Sequence, residues 1–425
     1  MSLQISIANT LGGKGSGGNV VTTPHISEWR TTEPNETVTL PYTTTGTYTG
    51  LIDWGDGTQS INSYENRTHT YATAGYYEIT INGSIRGFRF DNSGDRTKIY
   101  TIFQWGSQFN LGQGASQFFG CTNLNLSVVN DVLQVNAPGL PLDQQTRNFT
   151  NMFRNCTSLT TINRVDEWDM SNVTNLFSCF AFCPNFNGNI GGWNVSQVTV
   201  MQSVFNGASS FNQNLESWDV RNVTTMFAMF QNASLFNQNI SSWNVRNVIN
   251  MNLMFRGASL FDQPLANWER TTPDISSLSN VTNMTQMFNF NTVFNQPLNN
   301  WNVGSVTTFR EMFYGATQFN QPLNSWNVLT ATDMLQMFRQ ATNFNQNIGN
   351  WDIRNVTNFT NFMSQKTLAN YSTANYDALL IGWASRPVQP GIFINFGTIK
   401  RTVASLPAYT ILTVGNGWSI QDGGI

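Results

Sequence analysis

Residues 254–268 read MFRGASLFDQPLANW and residues 312–328 read MFYGATQFNQPLNSWNV, two copies of one pattern whose Trp recurs along the chain. Trp168, Trp193, Trp218, Trp243, Trp268, Trp301, Trp326 and Trp351 stand 25 residues apart, except for one step of 33. A strict period of this length marks a solenoid, in which each repeat buries its apolar face only against its neighbours. The long step carries an eight-residue insertion, roughly Thr271 to Leu278, which loops out so that the next coil regains register.

Thirteen residues before each Trp stand Phe180, Phe205, Phe230, Phe255, Phe288, Phe313 and Phe338; seven before stand Phe186, Phe211, Phe236, Phe261, Phe294, Phe319 and Phe344. This recurrence predicts ring columns inside the stack, with burial as the main stabilising term and offset stacking as the supplement. Val223, Met226, Phe230 and Ala233 have the spacing of one face of a short helix, and Phe236 to Ile240 reads as extended chain. Each coil is therefore expected to be one short strand plus one short helix. Cys121, Cys156 and Cys183 lie three residues after a Phe, where later repeats place Ala208, Ala233, Ala258, Ala316 and Ala341. A place that takes Cys or Ala is a small buried slot. Reduced core thiols are the favoured reading. A disulfide between adjacent coils, among Cys156, Cys179 and Cys183, is the alternative.

Neutral amides form two further rows. Asn187, Asn212, Asn237, Asp262, Asn295, Asn320 and Asn345 stand six residues before the Trp; Gln213, Gln238, Gln263, Gln296, Gln321 and Gln346 stand five before it. One reading is a structural ladder, hydrogen-bonded from coil to coil. The other is a polar face that recognises sugar or peptide. Alternation from the inward Phe points Gln inward, as the ladder, and leaves Asn212, Asn237 and Asn320 outward as candidate ligand contacts. Arg221, Arg246 and Arg354 share the position three after the Trp; they read first as solvated surface and, more sharply, as a patch for an anionic ligand.

The pattern MFxxAxxFNQPLxxWxVxxVTxM closely resembles the BspA-like leucine-rich-repeat surface proteins over roughly residues 150–365. That resemblance implies an α/β solenoid of leucine-rich-repeat type, with strands in a parallel sheet along one face. Upstream, LIDWGDGT (51–58) and HTYATAGYYEITI (69–81) resemble a PKD-type β-sandwich, on Asp53, Trp54, Gly55, Asp56 and Gly57 and on His69, Tyr71, Gly75 and Tyr77. Glycine suits the turn and the aromatic, Thr-rich runs suit strands. The expected organisation is an N-terminal arm (1–21), a PKD-like all-β sandwich (22–90), an N-terminal cap with an irregular first coil (91–150), the solenoid (151–365) and a C-terminal cap (366–425). In that cap Tyr376, Leu379, Leu380 and Trp383 fall at helix spacing before Pro387. Asp91 and Asp95 place oxygens that calcium could accept, but a polar turn is the favoured reading, so no cofactor is assigned.

Composition narrows the function. Of 425 residues only 11% are charged, the formal net charge is −3, and Asn occurs 56 times. A net-negative chain without Lys/Arg runs lacks the footprint of a nucleic-acid binder, and no apolar run reaches the length of a membrane span. Carboxylates in the repeats are sparse, and the only histidines, His25 and His69, lie outside them. Neither paired acids nor an activated nucleophile is assembled, so no enzyme is expected. The expectation is a non-enzymatic recognition or adhesion protein, extracellular or on a virion surface. A phage or virus component (fibre, decoration or receptor-binding protein) is favoured, because the first twenty residues carry no secretory leader. A bacterial surface adhesin is the alternative, and a polysaccharide-degrading tail protein a third reading. Host-surface glycan or protein, other virion proteins through the arm, and a homo-oligomer are the partners considered.

Overall fold

A computed structural model describes residues 22–112, 114–136, 145–269 and 277–425. The expected arm and most of the inserted loop lie outside these residues. The fold is mostly β and turn, with few helices. The N-terminal part is β-rich: β1 (His25–Thr31), β2 (Glu36–Thr39), β3 (Tyr42–Tyr48), β4 (Leu51–Asp53), β5 (Gln59–Ile61), β6 (Thr68–Tyr71), β7 (Gly75–Asn82), β8 (Ile85–Phe88), β9 (Ile99–Gln104) and β10 (Phe109–Asn110). They form a five-stranded sheet in the order β5-β4-β7-β1-β9, a three-stranded sheet β10-β8-β3 and the pair β2-β6. β1 alternates as a half-buried strand should, with His25, Ser27, Trp29 and Thr31 inside. The sheet runs past residue 90, because β9 pairs with β1; the stretch read from sequence as a cap is in part a strand of this region.

Over residues 145–269 and 277–366 the chain is a stack of coils, and their construction corrects the expected strand-plus-helix unit. Neighbouring coils share a parallel bridge one residue wide, running Asn148, Asn175, Val200, Thr225, Asn250, Asn283, Thr308, Asp333, Asn358. Beyond the bridge each coil is a series of turns. The N–H groups of Met226, Ala228, Phe230 and Asn232 donate to the carbonyls of Asn250, Asn252, Met254 and Arg256 in the next coil. The intervening N–H groups of Met229, Gln231 and Ala233 close local turns onto Met226, Ala228 and Phe230. With Phe227 N on Thr225 Oγ1 at 3.4 Å, every backbone donor from Met226 to Ala233 is satisfied without helix or extended strand. The reason is conformational. Two columns have positive φ, one through Ser178, Ser203, Ala228, Leu253, Gln286, Glu311, Gln336 and Asn361, the other through Phe182, Gly207, Asn232, Gly257, Phe290, Gly315 and Gln340. A left-handed residue twice per coil forbids a right-handed helix, and bonds to the next coil stabilise the conformation.

The ring columns are present. Phe180, Phe205, Phe230 and Phe255 stack from coil to coil with centroids 5.5–6.1 Å apart, and each lies 3.9–4.1 Å from the second Phe of its own coil. From Trp193 on, each Trp of the row donates through Nε1 to a carbonyl of the preceding coil, among them Trp218 to Ile190, Trp243 to Leu215, Trp268 to Ile240 and Trp326 to Leu298. All four cysteines are buried and free, which sets aside the disulfide alternative. The Cys156 and Cys183 thiols lie 3.1 and 2.8 Å from the carbonyls of Phe118 and Phe153, and burial pushes the Cys183 thiol up to about 12. Register after the long step is regained at Leu278, whose carbonyl accepts from Val281 as Val245 accepts from Val248. Glu269 fastens the returning chain, accepting from Ser277 Oγ at 3.2 Å and Leu278 N at 3.0 Å.

The stack ends on partners of its own kind. At the start, Phe118 stacks on Phe153 at 5.5 Å, so residues 116–120 already follow the coil pattern. At the far end α1 (Thr373–Ala384) buries Tyr376, Leu379, Leu380 and Trp383, as the helix spacing predicts. Trp383 continues the indole row by donating to Ile348 O at 3.2 Å. Lys366 stands in the small slot of the last coil and turns its ammonium onto the carbonyls of Ala341, Thr342 and Phe344. The parallel pair β11 (Phe393–Asn395) and β12 (Ser419–Gln421), with α2 (Leu406–Thr410) between them in the chain, completes this end.

Candidate functional site

The amide rows form one directional ladder. In each coil Asn Oδ1 receives two donors from the next: Asn212 accepts from Asn237 N at 2.9 Å and Gln238 Nε2 at 3.0 Å, and Asn237 from Asp262 N and Gln263 Nε2. Gln213 donates to Asn187, Gln296 to Asp262, Gln321 to Asn295 and Gln346 to Asn320. The last rung ends on α1, where Ser372 N and Asn375 Nδ2 both reach Asn345 Oδ1 at 2.9 Å. Two expectations are corrected. The Gln side chains are half-buried at the rim rather than inward, because the chain between Phe and Trp turns instead of alternating as a strand. Asn212, Asn237 and Asn320 spend their carbonyl oxygens on the next coil, so they are poor ligand acceptors. Asp262 shows that a rung needs only an acceptor. Asn320→Asp should accordingly leave unfolding within about 0.5 kcal/mol of the parent. Asn320→Leu, which strips the partner from Asn345 N and leaves Gln346 Nε2 only the residue-320 carbonyl, should cost about 1–3 kcal/mol in denaturant unfolding.

The predicted arginine patch is also largely spoken for. Where Asn or Asp follows the Trp it accepts the N–H two places on, as Asn194 does from Ser196, Asp219 from Arg221, Asn244 from Arg246 and Asp352 from Arg354. This is an Asx turn, the reason for the Asn/Asp row there. Where the residue is Asp it also captures the arginine: Arg221 pairs with Asp219 at 2.8 Å and Arg354 with Asp352 at 2.6 Å. Arg246, beside Asn244, pairs with no carboxylate among the described residues. The Asp91–Asp95 stretch is a turn whose Asp95 accepts from Thr39 N at 2.7 Å and pairs with Lys98 at 3.1 Å. In the N-terminal region Asp56 Oδ2 meets His69 Nε2 at 2.7 Å, His69 stacks on Trp54 at 4.9 Å, and Tyr71 Oη donates to Trp54 O at 2.8 Å. Gly55 and Gly57 turn the chain there at φ 78° and 89°.

A different surface emerges from the turn columns. Where other coils put Gly207, Asn232, Gly257 or Gly315, two coils place Phe182 and Phe290, with φ of 58° and 54° and rings 43% and 44% exposed. A bulky residue in the left-handed region costs about 1–3 kcal/mol, and exposing its ring recovers none of it. Both rings lean over a glycine of the next coil: an added Cβ would lie 3.1 Å from Phe182 at Gly207 and 2.7 Å from Phe290 at Gly315. An arginine stands in the surroundings of each, directly at Phe182 and through Tyr314 at Phe290. The Arg154 guanidinium sits 5.2 Å from the Phe119 ring and 5.6 Å from that of Phe182. Phe290 lies 4.9 Å from Tyr314, and Arg339 lies 5.6 Å over the Tyr314 ring. The sequence carried this signal as a departure from the column consensus at Phe182 and Phe290. Without φ it could not be told from one more apolar position.

A stack of turn-built coils with neutral rungs and exposed rings on its outer rows defines a repeat protein. The model of the family described as "Mycoplasma protein of unknown function, DUF285" matches residues 147–268 and 272–376, slightly more than half of the chain. The chain belongs to that family and is a BspA-like repeat protein. No curated protein and no solved structure matches it.

Proposed function

We propose that the protein is a non-enzymatic recognition or adhesion protein that displays its coil stack at an extracellular or virion surface, binding glycan or protein on another surface. The observation that carries this is the pair of strained, exposed Phe residues at two places along the stack, Phe182 beside Arg154 and Phe290 beside Tyr314, over which Arg339 lies. Strain and exposure together are features that folding alone would remove, and exposed aromatic and Arg side chains are the usual anchors of recognition. The stack is of leucine-rich-repeat solenoid type in this reading, supported by the 25-residue period and the parallel bridge row. The N-terminal region is a PKD-like spacer or anchor, supported by the Asp56–His69–Trp54–Tyr71 cluster around its glycine turn.

The bearer is a phage or virus component, with residues 1–21 docking to other virion proteins. A bacterial surface adhesin is the second reading, and the family's Mycoplasma description favours it. The test is binding of the labelled full chain to a glycan array and to intact host cells, where saturable binding is expected. Absence of binding to either, or loss of mass from bacterial surface glycans on incubation, would overturn the reading.

A further inference from the structure

The turn face carries cations without their usual partners. Arg164, Arg221, Arg310, Arg354 and Arg401 each pair with a carboxylate. Arg154, Arg256 and Arg339, all one residue after the column Phe of their coils, pair with none among the described residues. Glu311, the acid nearest the second cluster in the chain, is already held by Gln286 Nε2 at 2.7 Å and Asn289 Nδ2 at 3.1 Å. The row is therefore aromatic, amide-rich and net positive on a chain that is net negative. Its two clusters recur along the stack axis: Phe119, Arg154 and Phe182, then Phe290, Tyr314 and Arg339.

We propose that these two clusters bind one class of ligand, a carboxylate-bearing polysaccharide lying along the stack axis. The proposal rests on the recognition reading above and names its ligand. Exposed rings offer flat apolar faces to the C–H faces of pyranose rings. A guanidinium in each cluster, Arg154 beside Phe182 and Arg339 over Tyr314, offers a planar fork that matches a carboxylate in geometry and charge. Glycine in the following coil keeps the ring accessible instead of covered. A protein ligand would be better served by a continuous apolar patch, whereas here ring and charge are gathered in two separate clusters along the stack, with amides between them. Single-stranded nucleic acid also stacks on exposed rings, but it carries a charge on every nucleotide and calls for cations in every coil. Here arginines occur in three well-separated coils.

The experiment measures binding of the full chain to polygalacturonate and hyaluronan oligosaccharides, to neutral dextran and to a single-stranded oligonucleotide, at two salt concentrations. Acidic glycans are expected to bind at least tenfold tighter than dextran and the oligonucleotide, and to weaken as salt is raised. The double variant Phe182→Gly, Phe290→Gly separates ligand binding from folding, since glycine is what other coils use there. It should melt no lower than the parent yet lose at least tenfold in affinity. Arg339→Gln should weaken acidic glycans only. Equal affinity for dextran, preference for the oligonucleotide, or an unaffected double variant overturns the proposal. If acidic glycans fail while cells or neutral glycans still bind, this proposal falls and the recognition reading stands; if nothing binds, both fall.

Discussion

Trp243→Ala is expected to lower the unfolding free energy by about 3–5 kcal/mol for the lost ring and its cavity, with about 1–3 kcal/mol more for a stranded acceptor. Trp243 is 1% exposed, stacks 6.5 Å from Trp218 and lies 6.3 Å from Phe230. Its Nε1 donates at 2.9 Å to Leu215 O, a buried carbonyl that alanine cannot reach. Because each coil touches only its neighbours, the damage is local but falls between the two halves of the stack. Urea unfolding should then split into two transitions, one for each side of the break. Trp168→Ala is the comparison: its ring is as deeply buried, but its Nε1 has no protein partner among the described residues, so the stranded-acceptor cost is absent. A loss below about 1.5 kcal/mol at Trp243, far under the usual large-to-small range, would mean that the indole row does not couple the coils.

A second large effect is expected from acid. His25 is buried in the β-rich region, stacked 4.6 Å from Phe109, with Nδ1 3.1 Å from Trp105 O. That contact assigns the proton to Nδ1 in the neutral ring. Burial lowers its pKa from 6.5 to about 4, opposed only in part by the bond to Trp105 O. Between these values the unfolded chain holds the proton and the folded chain does not. Stability from this group is therefore fully present above pH 6.5 and lost as pH falls through about 4. The loss amounts to about 3 kcal/mol at 1.36 kcal/mol per pH unit. His25→Phe, which keeps an aromatic ring among Phe88 and Phe109, should flatten the pH 4–6.5 slope of the unfolding free energy. His25→Gln should flatten it as well. A slope unchanged in both variants would place the acid sensitivity elsewhere.

Legibility from sequence followed whether a feature repeats. The ring columns, the Cys/Ala slot and the buried face of α1 were readable because an interior position admits few side chains and the period displays each choice many times. The candidate site was much less readable. Arg221 and Arg354 looked free until the Asx turn folded them onto Asp219 and Asp352. Asn212, Asn237 and Asn320 looked outward until their oxygens proved to hold the next coil. Phe182 and Phe290 were lost among the many Phe residues.

By itself the sequence determined the period, the identity of the stacked columns, the neutral polar rows and the place where the stack closes. These follow from burial and from self-pairing, since each side chain in a stack meets its own equivalent and a repeated charge would repel itself. The tertiary structure alone decided that the coils are turns. Residues such as Ala228, Leu253 and Glu311 have no intrinsic preference for positive φ, and adopt it because hydrogen bonds to the adjoining coil outweigh the local cost. It also decided which polar side chains remain free to bind. A hydrogen-bond donor or acceptor is available only after the fold has taken its share.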